Sequence, residues 1–260
     1  MFRRRRDPEP EPLPPITLAE IRAASAEELA AAFAGPPEEA ARWIAAAARA
    51  GHLDAVILYG QILADGRGLR QDRVSALGWF RVAAEAGDVR GINMVGRCHE
   101  LGWGTPIDFE RAAHFYAQAA GRGYDWAQYN LAGLHVRGAG VPQDRARALE
   151  LFRAAAAQGH AKSLTVLGRF LEEGWDGVPR DPAAAYALYV RAAKAGDSRA
   201  QFNLGTLLVQ DGRLEEALGW FRQAAAAGSP DMLAHMARSL GARPEPALRA
   251  LAAEVAARLG

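Results

Sequence analysis

The chain has 260 residues, half of them hydrophobic, so it can bury a core without a metal or disulfide staple. Lys plus Arg number 31 and Asp plus Glu 30, and this near-neutrality excludes a global bias toward nucleic acid or an acidic polymer. The single cysteine, Cys98, excludes an internal disulfide framework and fits a reducing compartment.

The chain opens on Arg3-Arg4-Arg5-Arg6, the charge of a signal peptide, but no apolar stretch follows. No run of about 18 apolar residues occurs elsewhere, so no transmembrane segment is expected and the address reads as cytoplasmic. Residues 1–15, rich in Arg and Pro, are expected to be a disordered tail. Arg3–Arg6 offer at most weak contact with a membrane surface, because Asp7, Glu9 and Glu11 follow at once. The Pro8–Pro15 stretch is a weak docking-ligand signal.

From residue 16 to 51 the pattern reads as degenerate N-terminal capping helices, with only the last helix clear. That helix introduces a word that recurs down the chain: two bulky residues, two of any kind, two alanines, two of any kind, then glycine. It reads Trp43-Ile44 to Gly51, Trp79-Phe80 to Gly87, Phe115-Tyr116 to Gly123 and Leu151-Phe152 to Gly159. Leu188-Tyr189 to Gly196 and Trp220-Phe221 to Gly228 complete it, with glycine spacings of 36, 36, 36, 37 and 32. A fixed period of that size marks stacked supersecondary units. Five repeats are expected, at 52–87, 88–123, 124–159, 160–196 and 197–228, followed by C-terminal capping helices within 229–260 (Pro230–Leu240 and Pro246–Leu259).

Each repeat reads as two helices. The second, B, carries the word: bulky and alanine pairs share one stripe, and the glycine ends the helix in a left-handed conformation. Asp72, Asp108, Asp144 and Asp181 each stand 15 residues before their glycine, where an N-cap belongs. The first helix, A, keeps a small residue near its middle: Gly60, Gly96, Ala132, Gly168 and Gly205. Glycine costs about 1 kcal/mol in a helix, so its recurrence at one register predicts a close helix crossing. Gly66-Arg67-Gly68, Gly102-Trp103-Gly104, Gly138-Ala139-Gly140 and Gly174-Trp175-Asp176-Gly177 link A to B.

The segment Ala127–Gly159 resembles the Sel-1-like repeat, a relative of the tetratricopeptide repeat, and Ala200–Gly228 is closer to the tetratricopeptide form. The resemblance covers about residues 52–228. It implies an all-α fold, a right-handed superhelical solenoid of antiparallel helix pairs. It also implies a non-enzymatic adaptor or scaffold that binds a partner protein or an extended peptide in a concave groove. The Ala/Arg/Gly-heavy composition points to a bacterial source. A cell-envelope-associated regulator is an alternative. Some cysteine-rich relatives bind or hydrolyse cell-wall or lactam compounds, but they carry paired cysteines in each repeat, whereas this chain has Cys98 alone.

No motif earns a catalytic, metal or cofactor assignment. Cys98 and His99 share register with Ile62, Leu134, Phe170 and Leu207, and with Leu63, His135, Leu171 and Leu208, which are packing positions. His52 and His160 open repeats and read as turn residues. No histidine pair stands at i, i+4, and the Gly-x-Gly links follow a helix rather than a strand, so they read as turns instead of phosphate loops.

The expected partner surface is one face of the A helices. Asp54, Ile57 and Gln61 begin it, and Arg90, Asn93, Arg97 and Glu100 continue it. Trp126, Tyr129 and Asn130 come next, then Lys162, Thr165, Arg169 and Glu173, then Arg199, Phe202 and Asn203. Cations spaced seven apart share a helix face. With amides and aromatics beside them, they fit an acidic segment or a C-terminal carboxylate.

Overall fold

The computed structural model describes residues 14–175 and 177–259, the side chain of residue 26 apart. The expectations for Arg3–Arg6, for most of the Pro-rich stretch and for Asp176 lie outside the described residues. Among the described residues there are fifteen α-helices and no strand. They fall into two compact units, Met1–Asp108 and Phe109–Gly260, divided within the expected repeat 88–123.

The first unit holds α1 (Leu18–Ala23), α2 (Ala26–Ala34), α3 (Pro37–Arg49), α4 (Leu53–Asp65), α5 (Arg73–Glu85) and α6 (Val89–Leu101). The leading segment is better formed than its sequence word implies. Thr17 with Glu20, and Ser25 with Glu28, make reciprocal capping boxes that start α1 and α2, and both helices pack on α3. From α3 onward each helix packs against the next.

The second unit holds α7 (Phe109–Gly121), α8 (Asp125–Arg137), α9 (Arg145–Ala157), α10 (Ala161–Glu173), α11 (Pro182–Lys194), α12 (Ser198–Gln210) and α13 (Leu214–Ala227). It closes with α14 (Pro230–Gly241) and α15 (Pro246–Ala256), which pair with each other while α15 also reaches α13. The fold is an all-α solenoid of consecutive antiparallel helix pairs.

The word works through its second bulky residue. Phe80, Tyr189 and Phe221 are almost wholly buried. Each ring lies over the small residue of the preceding A helix. A Cβ built on Gly60 would stand 2.5 Å from Phe80, one on Gly168 2.7 Å from Tyr189, and one on Gly205 2.6 Å from Phe221. The mid-helix glycines therefore make room for a ring of their own repeat. At Ala132 a methyl is accommodated, and Phe152 shares its core cluster.

The links are held by backbone. Gly66, Gly102, Gly138 and Gly174 end the A helices in the left-handed region, and the next residue's N–H donates to a carbonyl in the last turn. The N–H of Asp72, Asp108, Asp144 and Asp181 donates to Leu63, His99, His135 and Leu171 O respectively, at 2.8–3.1 Å. Asp72, Asp144 and Asp181 also accept an N–H with their side chains, as their spacing predicts. The second link glycine does more than turn. A Cβ on Gly68 would stand 2.4 Å from the Pro37 carbonyl, one on Gly104 2.3 Å from Arg73 O, and one on Gly140 2.1 Å from Phe109 C. This glycine seats each link on the first residue of the previous B helix.

Gly140 and Gly159 both have positive φ, 68° and 88°, but a Cβ on Gly159 would meet nothing within 4 Å. Gly159→Ala is therefore expected to cost about 1–2 kcal/mol, the left-handed penalty alone. Gly140→Ala adds a backbone collision and should cost at least about 1 kcal/mol more. Urea unfolding of the two variants side by side reads the difference.

Candidate binding surface

Counting from its N-cap, each A helix presents a repeating set of positions. The second residue makes a ladder between neighbouring helices. In the first unit Arg90 Nη1 lies 2.7 Å from Asp54, and the same guanidinium binds Asp88 at 2.6 Å. Hydrogen bonding to Arg90 holds the Asp88 carboxyl below its usual range, and both acids raise the Arg90 pKa. Arg90 is thus committed to internal partners. In the second unit the ladder has no acid: Trp126, Lys162 and Arg199 are all exposed, with Lys162 Nζ 5.0 Å from the Trp126 ring centroid.

The fifth residue does not face solvent as its register promised. Ile57, Asn93, Thr165 and Phe202 are all buried, at 5–8% exposure. Their place is between successive repeats. Tyr129 packs on His160, the next N-cap, at 5.0 Å, and Thr165 Oγ1 donates to Asp197, the N-cap after that, at 2.8 Å. Phe202 packs on Phe221 and His235. Asn93 and Phe202, expected at the surface, are thus both in the interior.

The remaining expected residues divide by neighbourhood. Arg169 is exposed, with Nε 3.9 Å from Glu173 on the same helix. Half-buried Asn203 hydrogen-bonds the Tyr189 hydroxyl, which itself donates to Glu172 at 2.8 Å. Burial first, and Glu172 next, push the Tyr189 pKa up. Asn130 is half-buried. Arg97 is exposed, and its guanidinium carbon lies 5.4 Å from the Trp103 ring centroid.

Two features escaped the sequence reading. His160 is more than a turn residue: it is 5% exposed and sits against Trp126 at 4.6 Å. Its Nδ1 accepts the Ser163 N–H, and Nε2 is buried without a hydrogen-bond partner. The link tryptophans are platforms for arginine: Arg73, like Arg97, lies 5.4 Å from Trp103, and Arg145 lies 4.7 Å from Trp175. The available signal was an indole between two turn glycines, where a small polar residue would serve a turn better.

Cys98 is fully buried, and burial pushes its thiol up to about 12, so at neutral pH it is a thiol rather than a nucleophilic thiolate. His99 beside it is 3% exposed. Among the described residues no cluster of His, Cys, Asp or Glu could hold a metal, and no helix is long and apolar enough to cross a membrane.

Stacked helix pairs with one ring per repeat and a cationic, aromatic A-helix edge define a helical-repeat protein. The Sel1 repeat model matches residues 37–52, 53–88, 89–124, 127–160, 161–197 and 198–229, and the chain belongs to that family. Sel1 repeat proteins generally mediate protein–protein interaction and are typically non-catalytic scaffolds. The chain is similar in structure to a Sel1 repeat protein from Oxalobacter formigenes, with a TM-score of 0.71, 23% identity, and coverage of 91% of this chain and 100% of that one. It is also similar to a protective antigen of uropathogenic Escherichia coli that displays an SLR fold, with TM-score 0.58 and 27% identity over 86% of this chain. The chain spans only 50% of that antigen. An immunity protein from Pseudomonas aeruginosa shares the fold at TM-score 0.57 and 17% identity, over 80% of this chain and 81% of that one. No curated protein matches the chain.

The burial of Cys98 predicts that a disulfide reagent labels the native chain only at the rate of unfolding, and labels it at once in denaturant. Rapid native labelling would contradict the packing. His160 gives a pH test. Burial lowers its pKa, with Lys162 acting in the same sense and Asp125 and Asp197 against it. The unfolded chain therefore takes this proton first, below about pH 6.5. Stability from this group is complete above that pH and is lost as pH falls. Between about pH 7.5 and about pH 5.5 the wild-type melting temperature should drop more than that of His160→Asn, which keeps an N-capping side chain.

Proposed function

We propose that this chain is a non-enzymatic adaptor that holds a partner protein or extended peptide on the A-helix edge of its repeats. The exposed basic and aromatic residues at this A-helix position in the second unit carry the reading. Lys162 and Arg199 occupy the register where the first unit pairs Arg90 with Asp54, and Trp126 stands beside them as a rigid, exposed indole. Exposed cations beside an exposed indole favour an acidic ligand, either a run of carboxylate side chains or a free C-terminal carboxylate. Arg169 and Asn203 flank the ladder on the same helices and extend the contact.

Lys162→Glu with Arg199→Glu should reduce capture of a binding partner at least tenfold, by about 1.4 kcal/mol or more. Both side chains are exposed, so the circular dichroism spectrum and melting temperature should hold within about 0.5 kcal/mol of stability. Unchanged capture by a folded variant would remove the ladder from the interface.

A further inference from the structure

Trp103 lies between Gly102 and Gly104 in the link after α6. Arg73, the first residue of α5, and Arg97 of α6 each place a guanidinium carbon 5.4 Å from its ring centroid. The two cations are therefore no further apart than twice that distance. Both arginines are exposed, and among the described residues no carboxylate pairs with either. Like charges gathered on one ring repel each other unless an anion joins them.

The equivalent place in the second unit differs. Arg145 stacks on Trp175, but Trp175 also packs on Phe170 at 4.3 Å. Arg169, the counterpart of Arg97, has Glu173 four residues on. Four residues after Arg97 stands Leu101, which is exposed, so α6 offers no carboxylate at that step. Two exposed apolar residues lie beside the glycines on either side of Trp103. Gly104 abuts Val74, which is 70% exposed, and Gly102 abuts Ile107, which is 60% exposed.

We propose that Arg73, Trp103 and Arg97 form a receptor for an extended segment of a partner protein in which carboxylate side chains alternate with apolar ones. In an extended strand residues i and i+2 point the same way about 7 Å apart, a spacing the two guanidiniums can meet with one carboxylate each. The alternate residues then lie toward Val74 and Ile107. A lone C-terminal carboxylate engages one such position and leaves the second cation unserved. This deepens the adaptor reading and rests on it only for the class of ligand, since the residues belong to the other unit from the cationic ladder.

The test uses the full chain and a fluorescein-labelled peptide, acetyl-(Glu-Leu) repeats with an amidated end, followed by anisotropy at low salt. Saturable binding is expected, weakened at least about tenfold by Arg73→Gln or Arg97→Gln and restored in part by lysine at either position. A (Gln-Leu) peptide with a free C-terminal carboxylate should bind at least about tenfold more weakly than the acidic peptide. The comparison is repeated in the Lys162→Glu, Arg199→Glu background, where the ladder cannot hold an acidic peptide, and the losses of about tenfold from Arg73→Gln and Arg97→Gln should persist there. No saturable binding of the acidic peptide by the wild-type chain overturns the proposal. So does binding that Arg73→Gln with Arg97→Gln leaves unchanged, or a preference for the free-terminus peptide. Loss of partner capture in the ladder variant with peptide binding intact would separate the two sites, whereas loss of peptide binding only in the ladder variant would overturn this one and keep the other.

Discussion

The architecture depends on a ring that lies where its partner helix has no side chain. Phe80 over Gly60, Tyr189 over Gly168 and Phe221 over Gly205 bring each helix pair so close that one added methyl collides. Burying such a ring is worth about 1.5–3 kcal/mol, which more than offsets the roughly 1 kcal/mol that a mid-helix glycine costs. The glycine is thus the complement of the aromatic, and neither residue makes sense alone.

A second constraint joins one repeat to the next, and it is made largely of backbone and N-caps. Gly68, Gly104 and Gly140 seat their links on the start of the previous B helix. His160 and Asp197 cover Tyr129 and Thr165 of the preceding A helix. These contacts leave Trp126, Lys162 and Arg199 exposed, while the half-buried Trp103 and Trp175 lie under arginines. The surface chemistry is set by which positions packing leaves over.

The periodicity made the helix pairs legible, because the word repeats the aromatic, the alanines and the glycine together and each has a packing reason. The N-caps at Asp72, Asp144 and Asp181 were legible for the same reason. The face of helix A was only half legible. Seven-residue spacing places Asn93 with Arg90 and Arg97 on one face, but it does not say that the middle of that face is buried. Phe202 lies against Phe221 of its own repeat and His235 of α14, contacts that no spacing announces. Arg73 and Trp103 are 30 residues apart in sequence, and no local pattern joins them. The capping boxes at Thr17 and Ser25 were readable, since each is Ser or Thr followed three residues later by Glu.

If each repeat is a closed mechanical unit, one whole period can be removed and half a period cannot. Deleting residues 52–87 joins Gly51 to Asp88, so that a closing glycine again precedes an N-cap. The account predicts that this shortened chain keeps its helicity per residue and unfolds cooperatively in urea. Deleting residues 70–87 instead removes a ring and leaves its glycine helix unpartnered, and should abolish the cooperative transition. Equal behaviour of the two deletions, whether both fold or both collapse, would contradict the account.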